Sequence, residues 1–311
     1  MDSRINGHIS TQPYSSFVSS AEKAAQRLTK LEINDIRTLT AIEIGMIKHH
    51  TVPVDELLRL TKFNKRKLEY HLLRVYRQDL IYREIEPYLG YLINYTAYDL
   101  LALNSIVKAK VIDFLGPSIG VGKEADVFEG ITSEEKTVAV KFHRLGRTSF
   151  RDTKRKREYL SRPGHTSWLY QSRLAAEFEF RALKLMYDAG VSVPEPLYQN
   201  RHCIVMQFIK GSQLSDIISL EEPEEFLMDI LDNMRIVHRN GVIHTDLSEY
   251  NILIDEDGKD WIIDWPQYIS VAHENADDIL TRDIGNVSNY FMRKHGTAMT
   301  IEEAVAYVKN E

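Results

Sequence analysis

Residues 242–264 read VIHTDLSEYNILIDEDGKDWIID, and no other stretch constrains the chain as tightly. An apolar lead-in ends at His244, Asp246 follows, and Asn251 comes five residues later. The pattern then predicts a short strand, a turn and a second strand ending at Asp264. A loop carboxylate, an amide just after it and a second carboxylate closing a hairpin form the set that phosphoryl transfer requires. Asp246 fits the group that orients an attacking hydroxyl or water. Asn251 and Asp264 fit the pair that holds a divalent metal, because Mg²⁺ prefers hard oxygen donors.

A motif needs its context, and three further pieces lie upstream in the order that a two-lobed nucleotide site demands. Residues 118–128, SIGVGKEADVF, sit between two strand-like runs. Gly120 and Gly122 let the backbone approach phosphate oxygens, and Lys123, Glu124 and Ala125 fill the turn where a third glycine is missing. Lys141 ends the alternating run TVAVK and is the expected point charge for the phosphates. Glu179, on an amphipathic segment over 172–189, is its expected partner, with Glu177 as the competing choice. The apolar run HCIVMQFI at 202–209 is the place for the linker between lobes. There Met206 would back the pocket, and Gln207 and Ile209 would flank the adenine. Each piece alone has an ordinary reading as a turn, a solvated strand lysine or turn chemistry. The order of all six favours a nucleotide site.

At 311 residues the chain has room for two domains with ample core. Its 43% hydrophobic and 27% charged residues fit a soluble globular protein. No apolar run approaches the ~18 residues of a membrane span, and the polar first twenty residues lack a secretory core. No membrane partner is expected. The one cysteine, Cys203, lies in an apolar run and reads as buried packing; a reducing, cytoplasmic setting is consistent with this. The net charge of −6 is uneven: residues 221–311 hold 20 acidic and 7 basic residues, so the first 220 are net positive. One end is therefore suited to a polyanion.

Residues 35–95 read as a separate small domain. Helical spacing is expected over 35–49, 54–60 and 62–78, with Asn64 as an N-cap, then two short strands over 80–85 and 91–95 around EPYLG. Three helices and a turned hairpin resemble a winged helix-turn-helix, whose third helix docks a groove. Lys65, Arg66 and Lys67 in its first turn are candidate nucleic-acid contacts, or simply a solvated face. Tyr82, Tyr88, Tyr91 and Tyr95 could stack on bases or fill the hairpin. A connecting helix is expected over 97–110. A second basic run, 144–162, holds eight Lys/Arg against two acids. It reads as a loop ordered by a partner, phosphate being the natural counter-charge. Arg147, Arg151, Lys154 and Arg155 are its candidate contacts, and Ser149 beside Thr148 is a candidate self-phosphorylation site.

Together, residues 35–285 resemble the RIO family of atypical kinases, and the winged-helix-bearing Rio-two subfamily in particular. The matching words are GVGKEADVF, AVKFHRLGRTSFR, SWLYQSRLAAEFEF, NRHCIVM, HTDLSEYN and IDWPQ. The resemblance implies binding of ATP with Mg²⁺, or Mn²⁺ in its place, by Lys141, Glu179, Asn251 and Asp264, with Asp246 catalytic. It also implies pre-ribosomal small subunits and ribosomal RNA as partners, and Asp264 as an acceptor forming an aspartyl-phosphate. The short stretch after Asp264 looks like archaeal members. Two departures stand out: Thr245 replaces the family's usual glycine before Asp246, and Ala125 replaces its usual serine in the phosphate loop.

The expected architecture is α+β. A polar, weakly ordered segment (1–34) precedes the winged helix (35–95), a connecting helix (96–110) and a kinase-like domain (111–311), its N-lobe over 111–206 and C-lobe over 210–311. Only 47 residues follow Asp264, the metal motif is Asp-Trp-Pro, and no arginine precedes Asp246. These features disfavour a conventional peptide kinase with a switchable activation loop. They favour an ATPase or self-phosphorylating kinase, and a monomer is the expectation. The alternatives are a nucleotide-gated scaffold with little turnover and a small-molecule kinase.

Overall fold

Ser19 starts the first helix. Its hydroxyl accepts from the Glu22 N–H at 3.1 Å, and the Glu22 carboxylate accepts from the Ser19 N–H at 2.7 Å. This reciprocal capping opens α1 (Ser20–Leu28), which buries Ala21 and Ala24. In the structure, a computed structural model that describes residues 18–145, 168–265 and 267–309, this helix corrects the expectation of a weakly ordered segment up to residue 34. Arg147, Arg151, Lys154, Arg155, Thr148 and Ser149 lie outside the described residues.

The winged domain follows: α2 (Ile33–Gly45), β1 (Val52–Pro53), α3 (Val54–Thr61), α4 (Lys65–Arg77), β2 (Ile81–Glu84) and β3 (Gly90–Ile93). The three strands form an antiparallel sheet in the order β1-β3-β2. Asn64 caps α4 as expected, accepting from the Lys67 N–H at 2.9 Å. Inside, buried Asp35 of α2 accepts from Arg74 of α4 at 2.9 Å and lies 2.7 Å from His71 Nδ1.

The helix α5 (Tyr95–Lys108) does more than connect. Nine of its residues are buried, and one continuous apolar core runs from Ala21 through α5 to Val205. The winged domain and the N-lobe therefore share a core. The N-lobe sheet holds β4 (Phe114–Val121), β5 (Ala125–Ile131), β6 (Thr137–His143), β7 (Pro196–Asn200) and β8 (Cys203–Gln207). Its order is β4-β5-β6-β8-β7, antiparallel throughout. Helix α6 (Trp168–Asp188) packs on β6, β7 and β8.

A second core builds the C-lobe. It comprises β9 (Gly211–Gln213), α7 (Pro223–Arg239), β10 (Val242–Ile243), β11 (Ile252–Asp255), β12 (Asp260–Ile262), β13 (Ile269–Ser270), α8 (Ala276–His295) and α9 (Ile301–Lys309). Gly211, at the start of β9, lies so close to the Ile254 carbonyl of β11 that a side chain there would collide with backbone. This contact fixes where the chain leaves the N-lobe.

Candidate active site

Lys141 sits in β6, paired with Val127 of β5 and Ile204 of β8. Its ammonium is buried between the two lobes. It donates to Glu179 Oε1 and Oε2 at 2.7 and 2.9 Å and to Asp264 Oδ1 at 2.7 Å. Burial alone would lower its pKa, but the charges of Glu179 and Asp264 outweigh that and hold it above the ordinary lysine value. Burial likewise pushes Glu179 up, yet the Lys141 charge and the neighbouring His143 hold its carboxyl down at about 2. His143 Nε2 lies 2.9 Å from Glu179 Oε2. Glu177 is bonded instead to Arg173 on the helix surface at 2.7 Å, so Glu179 is the lysine partner.

Across the cleft, Asn251 Nδ2 donates to the Asp246 carbonyl at 2.8 Å and to Asp246 Oδ2 at 3.2 Å. The amide oxygen of Asn251 is left as a donor for a cation. His244 links the two key loops. Its Nε2–H donates to the Ile263 carbonyl at 3.1 Å, and its Nδ1 accepts from the Asp246 N–H at 3.3 Å. Burial lowers the His244 pKa, which suits this neutral tautomer, and the ring packs on Trp265 at 4.4 Å.

Two non-glycine residues here have positive φ, Thr245 at +75° and Asp264 at +70°. A β-branched residue in that region is an outlier, at a cost of roughly 1–3 kcal/mol. The Thr245 N–H donates to Asp283 Oδ2 of α8 at 2.7 Å, and Arg282 donates to the Thr245 carbonyl.

Between the lobes lies a cleft of about 620 Å³. Gly120, Gly122, Lys123, Glu124 and Ala125 line its roof, with Lys141, Met206, Gln207, Ile209, Asn251 and Asp264 among the remaining walls. The Gly122 N–H closes the roof turn on the Ala125 carbonyl at 2.8 Å. Asp246 is exposed beside the cleft, and Glu179 is buried behind Lys141. Sequence reading missed Pro194, Tyr250 and Gln267, which also line it; no local motif marks them. Lys65, Arg66 and Lys67 are exposed on α4 and do not line it.

Arg144 corrects the reading of 144–162 as a basic loop ordered by a partner from its first residue on. It is 1% exposed. It donates to both oxygens of Asp99 at 2.6 and 2.9 Å, to Asp126 Oδ2 at 2.9 Å, and lies 3.0 Å from His202 Nε2. Its main-chain N–H also donates to the Glu124 carbonyl at 2.5 Å. One arginine thus ties α5, β5 and the β7–β8 turn through its guanidinium and the roof of the cleft through its main chain. Nearby, Arg201 donates to both oxygens of Glu43 on α2 at 2.7 Å.

A family profile described as the RIO domain matches residues 126–304, and one described as the Rio2 N-terminal domain matches residues 28–109. The chain belongs to the RIO family, in its Rio2 branch. It is 40% identical over 253 residues to the RIO-type serine/threonine-protein kinase Rio2 of Methanocaldococcus jannaschii, covering 80% of this chain and 92% of that protein. It is 36% identical over 272 residues to the serine/threonine-protein kinase rio2 of Dictyostelium discoideum, covering 88% of this chain. The chain spans only 52% of that longer relative. A crystal structure of the Chaetomium thermophilum Rio2 kinase–ADP/Mg²⁺–phosphoaspartate complex superposes with a TM-score of 0.80 at 30% identity, over 92% of this chain and 89% of that one.

The donor chemistry of this RIO site fits Mg²⁺. Lys141 takes Oδ1 of Asp264, which leaves Asp264 Oδ2 and the Asn251 amide oxygen as hard oxygen ligands from two residues that line the cleft.

Proposed function

We propose that this Rio2-branch chain is an ATP–Mg²⁺-dependent phosphotransferase that works through Asp264. The observation that carries the reading is the buried Lys141 ammonium, held between Glu179 and Asp264 at the cleft between the lobes. Lys141 places positive charge where nucleotide phosphates enter beneath Gly120 and Gly122. Glu179 keeps that charge in place. Bound Mg²⁺, held by Asn251 and Asp264, would neutralise phosphate charge. An Asp264 oxygen attacks the γ-phosphorus, the bond to the ADP oxygen breaks, and ADP leaves with the electron pair. Asp246, exposed and tied to Asn251, then accepts the proton of a water that attacks the phosphorus and returns Asp264 as carboxylate. The phosphoaspartate in the Chaetomium relative supports this route. Transfer to a Ser or Thr hydroxyl oriented by Asp246 is the other outlet of the same site.

The reading extends to maturation of the small ribosomal subunit. The exposed Lys65, Arg66 and Lys67 on α4 and the basic run 147–155 would meet ribosomal RNA, and the chain would act as a monomer in the cytoplasm. No helix among the described residues is long and apolar enough to cross a membrane. Sedimentation of the purified chain with pre-ribosomal small subunits, with ATP or a non-hydrolysable analogue, tests this extension. Retention with the analogue and release with ATP are expected; equal retention would refute coupling of turnover to release. The same comparison with K65A/R66A/K67A tests the α4 contact.

A further inference from the structure

Asp264 is held from both sides by two consecutive residues of the catalytic loop. His244 donates to the carbonyl of Ile263, just before it. The Thr245 hydroxyl donates to the carbonyl of Gln267, three residues after it, at 3.0 Å. Gln267 itself lines the cleft. Both Thr245 and Asp264 have positive φ; aspartate tolerates that region, whereas β-branched Thr245 does not favour it.

Thr245 is an odd choice for its place. Glycine would take a φ of +75° without strain. Glycine would also keep the bonds to Asp283 and from Arg282, because these use the Thr245 main chain. The bond to Gln267 alone needs the side chain. A strained residue whose side chain supplies one specific contact invites a functional reading of that contact.

We propose that Thr245 is a positioning residue whose hydroxyl clamps the loop carrying Asp246 to the segment that follows Asp264. The clamp fixes the separation of the two carboxylates between which the phosphoryl group is handled. It rests on the proposed role of Asp264 as acceptor. In this chain the bracket has two arms, the His244 imidazole and the Thr245 hydroxyl, and loss of the second moves the next tie after Asp264 out to the β10–β13 pairing at Ile269.

The test compares T245S, T245V and T245G in the full chain. T245V keeps the shape and the strain without the hydroxyl. T245G removes both strain and hydroxyl. T245S restores the hydroxyl. Three quantities are measured: phosphoenzyme formation from labelled ATP with Mg²⁺ in a single turnover, KM for ATP, and amide hydrogen exchange across residues 260–270. T245V and T245G are expected to slow phosphoenzyme formation by about 2- to 13-fold, the scale of one neutral hydrogen bond, with KM unchanged. Exchange in 260–270 rises by a similar factor, and T245S recovers both. T245G melts at or above the temperature of T245V, so lost activity does not follow lost stability. Wild-type rates and exchange in T245V and T245G would overturn the proposal, as would T245S behaving like T245V. A wild-type chain that forms no phosphoenzyme would refute the acceptor role of Asp264, and the exchange comparison would still decide whether the clamp exists.

Discussion

Replacing Arg144 by methionine removes a charge that three buried groups depend on. Asp99, Asp126 and His202 are each 1% exposed or less. The guanidinium supplies four contacts of 2.6 to 3.0 Å to them. Methionine fills much of the same volume but takes the guanidinium charge away from two carboxylates in the core. Breaking a buried pair from one side costs about 3–5 kcal/mol, against a total stability on the order of 5–15 kcal/mol for a folded protein. Urea unfolding followed by tryptophan fluorescence and circular dichroism is the assay. R144M should lose that amount, and the loss should fall on the shared core of the winged domain and N-lobe, so that this unit unfolds before the C-lobe. D99N with R144M should cost less than the sum of the two single changes, by more than about 1.5 kcal/mol, because adjacent charges couple. A loss below about 1 kcal/mol in R144M, or additive costs in the double variant, would refute the argument that this network joins the domains.

Three other expectations follow from the structure. E179Q should cut ATP turnover at least about tenfold, the scale of one misplaced charge-assisted bond, whereas E177Q at the surface pair with Arg173 should stay within about twofold; equal effects would contradict the assignment of Glu179. Stability should fall on acidification: burial drags the His202 imidazole from 6.5 to about 4, so the unfolded chain takes the proton first. That stability is full above pH 6.5 and declines by roughly 3 kcal/mol as pH drops to 4. Burial and the nearby Asp229 raise Asp260 to about 6 from 3.8, which works the other way. D260N should therefore stabilise the chain at pH 8 by roughly 2–3 kcal/mol, with the gain gone below pH 4. Melting curves across pH 4–8 that run parallel for D260N and wild type would contradict this.

The parts of the site that were legible in the sequence are those whose chemistry is written locally. Lys141, Asp246, Asn251 and Asp264 announce themselves by spacing within a strand or a loop. Glu179 was not separable from Glu177, because two residues along a helix differ by more than half a turn, and only the position of β6 decides which of them faces Lys141. Arg144 was misread because a composition window joins it to the basic run after it, while the backbone still belongs to the N-lobe. Its bond to Glu124 and its three buried partners come from residues 18 to 58 positions away. The helix α1 was overlooked among polar residues, although Ser19 and Glu22 carried a capping signature. The tyrosines show how burial overrides residue type. Tyr95 packs on Trp168 with ring centroids 3.4 Å apart, and Tyr88 donates to the Thr51 carbonyl. Tyr82, 55% exposed, is the one of the four most open to a partner.

The most direct test of the account is where the γ-phosphoryl group goes. Purified chain is incubated with γ-labelled ATP and Mg²⁺, and free phosphate and protein-bound label are followed in wild type, D246A and D264A. The account predicts hydroxylamine-labile label on wild type, none on D264A, and label that accumulates on D246A because water is no longer activated. Acid-stable label that persists in D264A would contradict it and place the acceptor on a hydroxyl.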